Sequence, residues 1–329
     1  MVSKGFHLIV NIFLALSLIS CEDTPDISIE GRPVPIIYGV FDKLDYVHYI
    51  KIGKTFQANE NPMSSAVVCD SLYFDDPEVR VILTDYYERA TVIEPYLVKE
   101  IPKDEGMFNF PGQVIYRFNT RLGGIRTLGV RVKAAGLEES YGEVLLLDSA
   151  SINTPKKGQQ TLYLVPDTPI RIQWVIPDSS GSPFHWYEID VAFEFLETTS
   201  DSTRSAKVVI QNTNWYETAT PKYYELNITY EEFIREVLAQ LKDDPDVKWR
   251  RFGYHSIEIN CADKNITDYI NKLNGINDFN YLPFSNITNG IGLIASRSSG
   301  LKDSLRFDYK TRLQLSGENR LKKYKLLSD

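Results

Sequence analysis

From Pro35 the chain alternates between short apolar runs and polar breaks. Ile36 to Phe41 and Val47 to Ile52 flank the turn-forming Asp42 to Asp45, which is the pattern of a β-hairpin. In the second run Val47 and Tyr49 alternate with His48, Ile50 and Ile52, and both sets are apolar enough to face a core. Further short strands are predicted at Glu78 to Tyr86, Thr91 to Lys99, Gln113 to Phe118, Leu128 to Ala134 and Glu143 to Leu147, each bounded by Gly, Pro, Asn or Asp. Strands spaced this way without intervening helices predict an antiparallel β-sandwich of immunoglobulin-like kind over residues 35–150.

Residues 151–160 are polar and poor in apolar side chains, so a linker is expected there, followed by a second β-rich domain over 161–329. Its clearest element is Trp186 to Leu196. Tyr187, Ile189, Val191, Phe193 and Phe195 share one face, and Glu188, Asp190 and Glu194 the other, the period of a half-buried strand. Ile170, Ile172, Trp174 and Ile176 repeat that period, and Lys207 to Ile210 begins another strand. A helix is predicted over 230–242, with Phe233, Ile234, Val237, Leu238 and Leu241 on its apolar face, a capping box of Thr229 and Glu232, and Pro245 past its end. A shorter helix is expected over 266–273. The expected class is therefore mainly β, a sandwich plus a β-rich domain carrying one or two helices; the order of elements repeats at no fixed period, which argues against a solenoid or propeller.

Composition supports this reading. The 20 Tyr and 16 Phe, with frequent β-branched residues, favour strands. A formal charge of −8, with no basic block except Arg320, Lys322, Lys323 and Lys325, argues against nucleic acid as a partner.

The N-terminus changes the picture most. Lys4 precedes an apolar run from Leu8 to Ile19, too short to span a bilayer and laid out as a secretory signal over residues 1–20. Leu18, Ile19, Ser20 and Cys21 resemble the lipobox of bacterial lipoproteins, with cleavage after Ser20 and Cys21 as the lipid acceptor. Several acyl chains anchor more durably than the single chain whose membrane binding is marginal. Residues 21–34 are polar and read as a flexible tether. Glu22 and Asp23 resemble the surface-export signal of Bacteroidota lipoproteins. An outer-membrane location, at the cell surface or on the periplasmic leaflet, is the expectation.

Cys69 and Cys261 then lie in a compartment that permits disulfides, and a cystine between them or two isolated buried thiols are both open. The mature chain keeps His48, His185 and His255, none in a zinc-gathering spacing, so packing roles are expected. No nucleophile elbow, phosphate loop or dinucleotide fingerprint occurs, and no metal, cofactor or catalytic residue is expected. Asp243, Asp244 and Asp246 lack the spacing of an EF-hand and read as a solvated helix end. Glycosidase carboxylates have no local motif, so a hydrolase is the least supported reading. Among the aromatics, Trp174 reads as core, and Trp215 and Tyr216, in a polar setting, as candidates for ligand stacking. Asp-Ser-Leu at Ser71 and Ser304, Asp-Ser-Ala at Ser149 and Asp-Ser-Thr at Ser202 look like Bacteroidota O-glycosylation acceptors. Three Asn-Ile-Thr triplets, at Asn227, Asn265 and Asn286, read as turns and helix starts.

Several segments carry a family resemblance: Tyr38-Gly39 and Val47-His48-Tyr49-Ile50 leading to Lys54 and Phe56, then Gly106, Phe110 and Gln113 to Tyr116, then Phe284 to Arg297. Together they resemble a family of Bacteroidota outer-membrane and surface lipoproteins whose shared domain has no assigned function. The resemblance implies an N-terminal β-sandwich and an envelope location, and supplies no catalytic residues. In its last segment Gly290 and Gly292 suit a close backbone approach or a positive φ. The functional expectation is a lipid-anchored, non-catalytic binding or accessory subunit beside an outer-membrane β-barrel, as in TonB-dependent uptake; the alternative is a surface glycan-binding or adhesive lipoprotein.

Overall fold

The computed structural model describes residues 32–55, 68–102, 112–175, 184–215, 223–274 and 284–329. The fold is mainly β with few helices, as expected.

The predicted hairpin forms as β1 (Pro35–Phe41) and β2 (Val47–Lys54). Ile37, Phe41, His48, Ile50 and Ile52 are buried, which settles the ambiguous face of the second run and leaves Tyr38 and Tyr49 outward. β3 (Glu78–Asp85) follows the short helix α1 (Cys69–Leu72). The expected strand at Thr91 to Lys99 is two strands, β4 (Ala90–Ile93) and β5 (Tyr96–Pro102), in different sheets. The break falls at Pro95, which has no N–H to continue a ladder, so the chain crosses between layers there. Next come β6 (Gly112–Asn119), β7 (Ile125–Lys133) and β8 (Ser140–Leu145). The sheets β1-β2-β6-β5 and β4-β3-β7-β8 enclose a first core that includes Phe118, Leu128 and Val130.

Residues 151–160 are not a structureless linker. Ser151–Thr154 form β9, which pairs antiparallel with β11 (Ile170–Val175), itself paired with β14 (Tyr224–Ile228). Backbone bonding suffices for such an edge strand, and only Ile152 packs on the core beneath, so an apolar count misses it. β10 (Thr161–Leu162) follows. β12 (Phe184–Thr198) carries the anticipated stripe, with Ile189, Val191, Phe193 and Phe195 fully buried. It pairs with β13 (Thr203–Trp215), β15 (Trp249–Phe252) and β16 (His255–Asp263).

α2 (Tyr230–Gln240) begins where Thr229 accepts a hydrogen bond from the Glu232 N–H at 3.2 Å, with Glu231 and Glu232 suited to the positive end of its dipole. Phe233, Ile234 and Val237 enter the second core, whereas Leu238 is partly exposed. α3 (Lys264–Asn274) starts before the expected Ile266, because Asp263 accepts from the Ile266 N–H at 3.0 Å and acts as its cap. The pattern did not anticipate α4 (Tyr309–Gly317) or the 3₁₀ turn Asn319–Tyr324; α4 buries only Thr311 and Leu315. Its N-cap Asp308 accepts from the Thr311 N–H at 2.9 Å.

The unifying element is β17 (Ile291–Phe307), 17 residues long. Its first part pairs parallel with β1 and its second part antiparallel with β16, so one ten-stranded sheet runs β13-β12-β16-β17-β1-β2-β6-β5 along its main path. Ile287 and Ile294 join the first core while Leu305 and Phe307 join the second. Between them the core-side positions of β17 are Ser296, Ser298 and Gly300. Residues 147–150 cross beneath at this seam: Leu147 donates its N–H to Ser296 Oγ at 2.9 Å, and a Cβ on Gly300 would run into the carbonyl oxygen of Ala150. Gly292 adopts φ +130° beside the Ile37 backbone, so both close approach and unusual conformation demand glycine there.

Candidate functional site: a tyrosine-lined sheet face

The period of two that buries Ile37, Ile50 and Phe118 sends their neighbours to the opposite side of the same strands. Tyr38 and Val40 stand on β1, Tyr49 and Lys51 on β2, Ile115 and Arg117 on β6, Tyr96 and Val98 on β5. Register places Tyr38 beside Lys51, Lys51 beside Ile115 and Ile115 beside Val98. A second row holds Tyr49, Arg117 and Tyr96. Val40, Tyr49 and Tyr96 are 45%, 46% and 49% exposed, high values for side chains of this size on a four-strand surface.

Arg117 is the centre of this face. Its guanidinium carbon lies 5.9 Å from the ring centroids of both Tyr49 and Tyr96, within cation–π range, and its Nε donates to Asn119 Oδ1 at 3.1 Å. Neither Arg117 nor Lys51 has an ion-pair partner among the described residues. On the β17 side the face ends at α3, which packs across β12, β16 and β17. Tyr269 of that helix meets Tyr38 edge-on at 6.3 Å between centroids. Partial burial, with Tyr269 beside it, pushes the Tyr38 hydroxyl up to about 12, so it stays a neutral donor at physiological pH.

The residues singled out from sequence do not gather here. Ser20, Cys21, Glu22, Asp23 and Tyr216 lie outside the described residues, as do the side chains of Cys69, His185 and Trp215, whose backbones are placed in α1, β12 and β13. Cys261 is a free thiol, so a cystine with Cys69 is not the state seen: its side chain points into the second core, opposite Ser298, whereas Cys69 opens a helix packed on β2. Burial pushes the Cys261 thiol up to about 12, which removes the thiolate that reactivity requires. Ser202, at the β12–β13 turn, and Ser304, at φ 57° in β17, are exposed; Ser71 and Ser149 are half-buried.

The histidines that are described pack. His48 stacks on Phe118 at 4.8 Å and bonds the Thr120 carbonyl through Nε2 at 3.0 Å. His255 accepts the Glu194 N–H through Nδ1 at 3.2 Å, and burial among Phe193 and Phe307 lowers it to about 3. Among the described residues no cluster of three His, Cys, Asp or Glu side chains suits a metal ion. Asp244 instead pairs with Arg204 and caps the Asp246 N–H. Trp174 is fully buried against Tyr187 and Tyr224. In the basic C-terminal run, Arg320 pairs with Glu231 and Glu318. A shallow groove of about 420 Å³ lies where residues 32–35 enter the body, lined among the described residues by Arg32 and Glu138 as its charged groups.

The chain matches no known protein family, and no curated protein is similar to it. Among solved structures it is similar to Escherichia coli alpha-2-macroglobulin activated by porcine elastase, at 6% identity and a TM-score of 0.18, over 84% of this chain and 23% of that one. The chain thus spans under a quarter of that protein's length, and so low a TM-score carries no argument.

Proposed function

We propose that the chain is a lipid-anchored protein of the outer membrane, exposed at the cell surface, that serves as a non-catalytic binding or accessory subunit beside a β-barrel, as in TonB-dependent uptake. The observation that carries the binding role is the Tyr49–Arg117–Tyr96 row: two exposed rings and a half-buried guanidinium between them, the residue types enriched at binding hot spots, stand on three neighbouring paired strands that hold them rigidly. The anchor comes from the lipobox-like segment ending at Cys21. Ten residues lie between Cys21 and Arg32, the first described residue, so even a fully extended chain puts Arg32 at most about 40 Å from the bilayer surface. That is within reach of a neighbouring membrane protein.

The test is extraction of the protein from its native membrane in mild detergent, followed by identification of what travels with it. Co-purification with a β-barrel, lost when Cys21→Ser releases the protein from the membrane fraction, is the expected result. A solitary monomer that stays membrane-bound after Cys21→Ser would contradict both parts. A second reading, surface glycan binding, is favoured by the same row of rings, and by that row more than by Trp215 and Tyr216, whose side chains are not described.

A further inference from the structure

Resting on the reading of this face as a binding surface, we infer that its ligand is an anionic glycan, recognised by its carboxylate or sulfate groups at Arg117 and Lys51 and by sugar-ring stacking on Tyr49 and Tyr96. The charge pattern points this way. The chain has 44 acidic residues against 36 basic ones, yet among the described residues this face presents Arg117 and Lys51 with no acid paired to either. A guanidinium whose outer nitrogens have no partner among the described residues can bind carboxylate or sulfate oxygens in a fork. Arg117 is preorganised for that: Asn119 holds Nε and two tyrosine rings flank its plane, so little side-chain freedom remains to be lost on binding.

The shape favours a glycan over a protein partner at this spot. Tyr49 and Tyr96 stand two strands apart, roughly 10 Å at the usual strand spacing, with the cation between them. That arrangement suits alternating ring stacking and anion pairing along a short oligosaccharide. The two rows across four strands cover on the order of 300 Å², well below the ~800 Å² per partner of a stable protein interface, and α3 closes off extension on one side. Apart from Val40 the exposed contacts of the central row are rings and charge, without the large aliphatic anchors that a peptide would fill.

The full-length lipoprotein, purified in detergent, is titrated calorimetrically with an oligogalacturonate, a heparin oligosaccharide, a neutral xylo-oligosaccharide of matched length, and glycerophosphoglycerol, the soluble headgroup of phosphatidylglycerol. Binding to at least one acidic sugar, at least tenfold tighter than to the neutral one and weakening as salt rises, is expected. Arg117→Gln should weaken it about tenfold or more, Arg117→Lys less, and Tyr49→Ala with Tyr96→Ala should weaken it comparably, while circular dichroism and thermal midpoints stay near wild type. Absence of binding to both acidic sugars, equal binding to the neutral one, or acidic-sugar binding indifferent to these substitutions overturns the inference. Headgroup binding that Arg117→Gln abolishes, without sugar binding, would overturn it too and assign the face to anionic lipid. Because no barrel is present in this titration, its failure leaves the co-purification result standing, and the reverse also holds.

Discussion

The Glu197 carboxylate in β12 is the keystone of a buried charge network, and its removal should be among the most damaging single substitutions in the second core. Arg250, 1% exposed, directs Nε to Glu197 Oε1 at 2.9 Å, with its other nitrogens donating to the carbonyls of Tyr324 at 2.9 Å and Lys242 at 2.8 Å. The second Glu197 oxygen accepts Arg204 Nε at 2.7 Å. Glu197→Ala therefore strands a fully buried guanidinium on two neutral acceptors, a change that costs about 3–5 kcal/mol when one partner of a buried pair is lost. Arg204→Ala removes a half-exposed partner instead and should cost no more than about 1 kcal/mol. Urea unfolding followed by tryptophan fluorescence reads this region, since Trp174 is buried in the second core and all four tryptophans lie at or beyond residue 174. The expected result is a large fall in midpoint for Glu197→Ala, at constant slope, and a small one for Arg204→Ala. Losses of similar size, or under about 1 kcal/mol for Glu197→Ala, would refute the view that Arg250 depends on this carboxylate.

Three further outcomes follow from the packing and the buried ionisable groups. Gly300→Val should destabilise by about 1–3 kcal/mol in the same unfolding assay, because its side chain must displace the Ala150 backbone crossing beneath β17. Asp263, held up near 6 by burial, binds its proton more tightly folded than unfolded, so its contribution to stability falls as pH rises from about 4 to 6. His255, lowered to about 3, does the opposite: stability is lost as pH drops from about 6.5 toward 3. The two slopes, each about 1.4 kcal/mol per pH unit at most, offset one another between pH 4 and 6. Asp263→Asn should therefore steepen acid destabilisation across that range, which a pH series of thermal midpoints would show; an unchanged profile would contradict the assignment. Gln240 donates to the Val209 carbonyl at 2.8 Å and accepts its N–H at 2.9 Å, so one side-chain amide occupies the outer edge of β13. Gln240→Ala should expose that edge and yield concentration-dependent self-association in light scattering, where wild type stays unassociated.

How far the sequence reveals this fold depends on whether an element is held by apolar side chains or by backbone. The stripe Tyr187 to Phe195 and the helix capped by Thr229 are written in period and capping chemistry, and both stand where expected. β9 and the start of α3 are set by pairing with β11 and by the carboxylate of Asp263, neither of which shows as periodicity. β17 is harder still: Ser296, Ser298 and Gly300 break its apolar pattern, because another segment must pass beneath. The consequence is that a strand near the C-terminus completes the sheet begun at Pro35, which no local window contains. The candidate face was half visible. Tyr38, Val40 and Tyr49 lie at alternate positions of the first hairpin, but which set faces outward is decided only when His48, Ile50 and Ile52 meet the second sheet. Arg117 and Tyr96 join them through strand register alone.

Whether the Tyr49–Arg117–Tyr96 row is covered in the living envelope is the most direct question. Hydroxyl-radical footprinting of intact cells and of the purified protein would answer it, with Tyr87, 81% exposed on the β3–β4 turn away from this face, as the internal reference. The binding role predicts that Tyr49 and Tyr96 are protected relative to Tyr87 in cells and become reactive on purification. Equal labelling in both settings would contradict it.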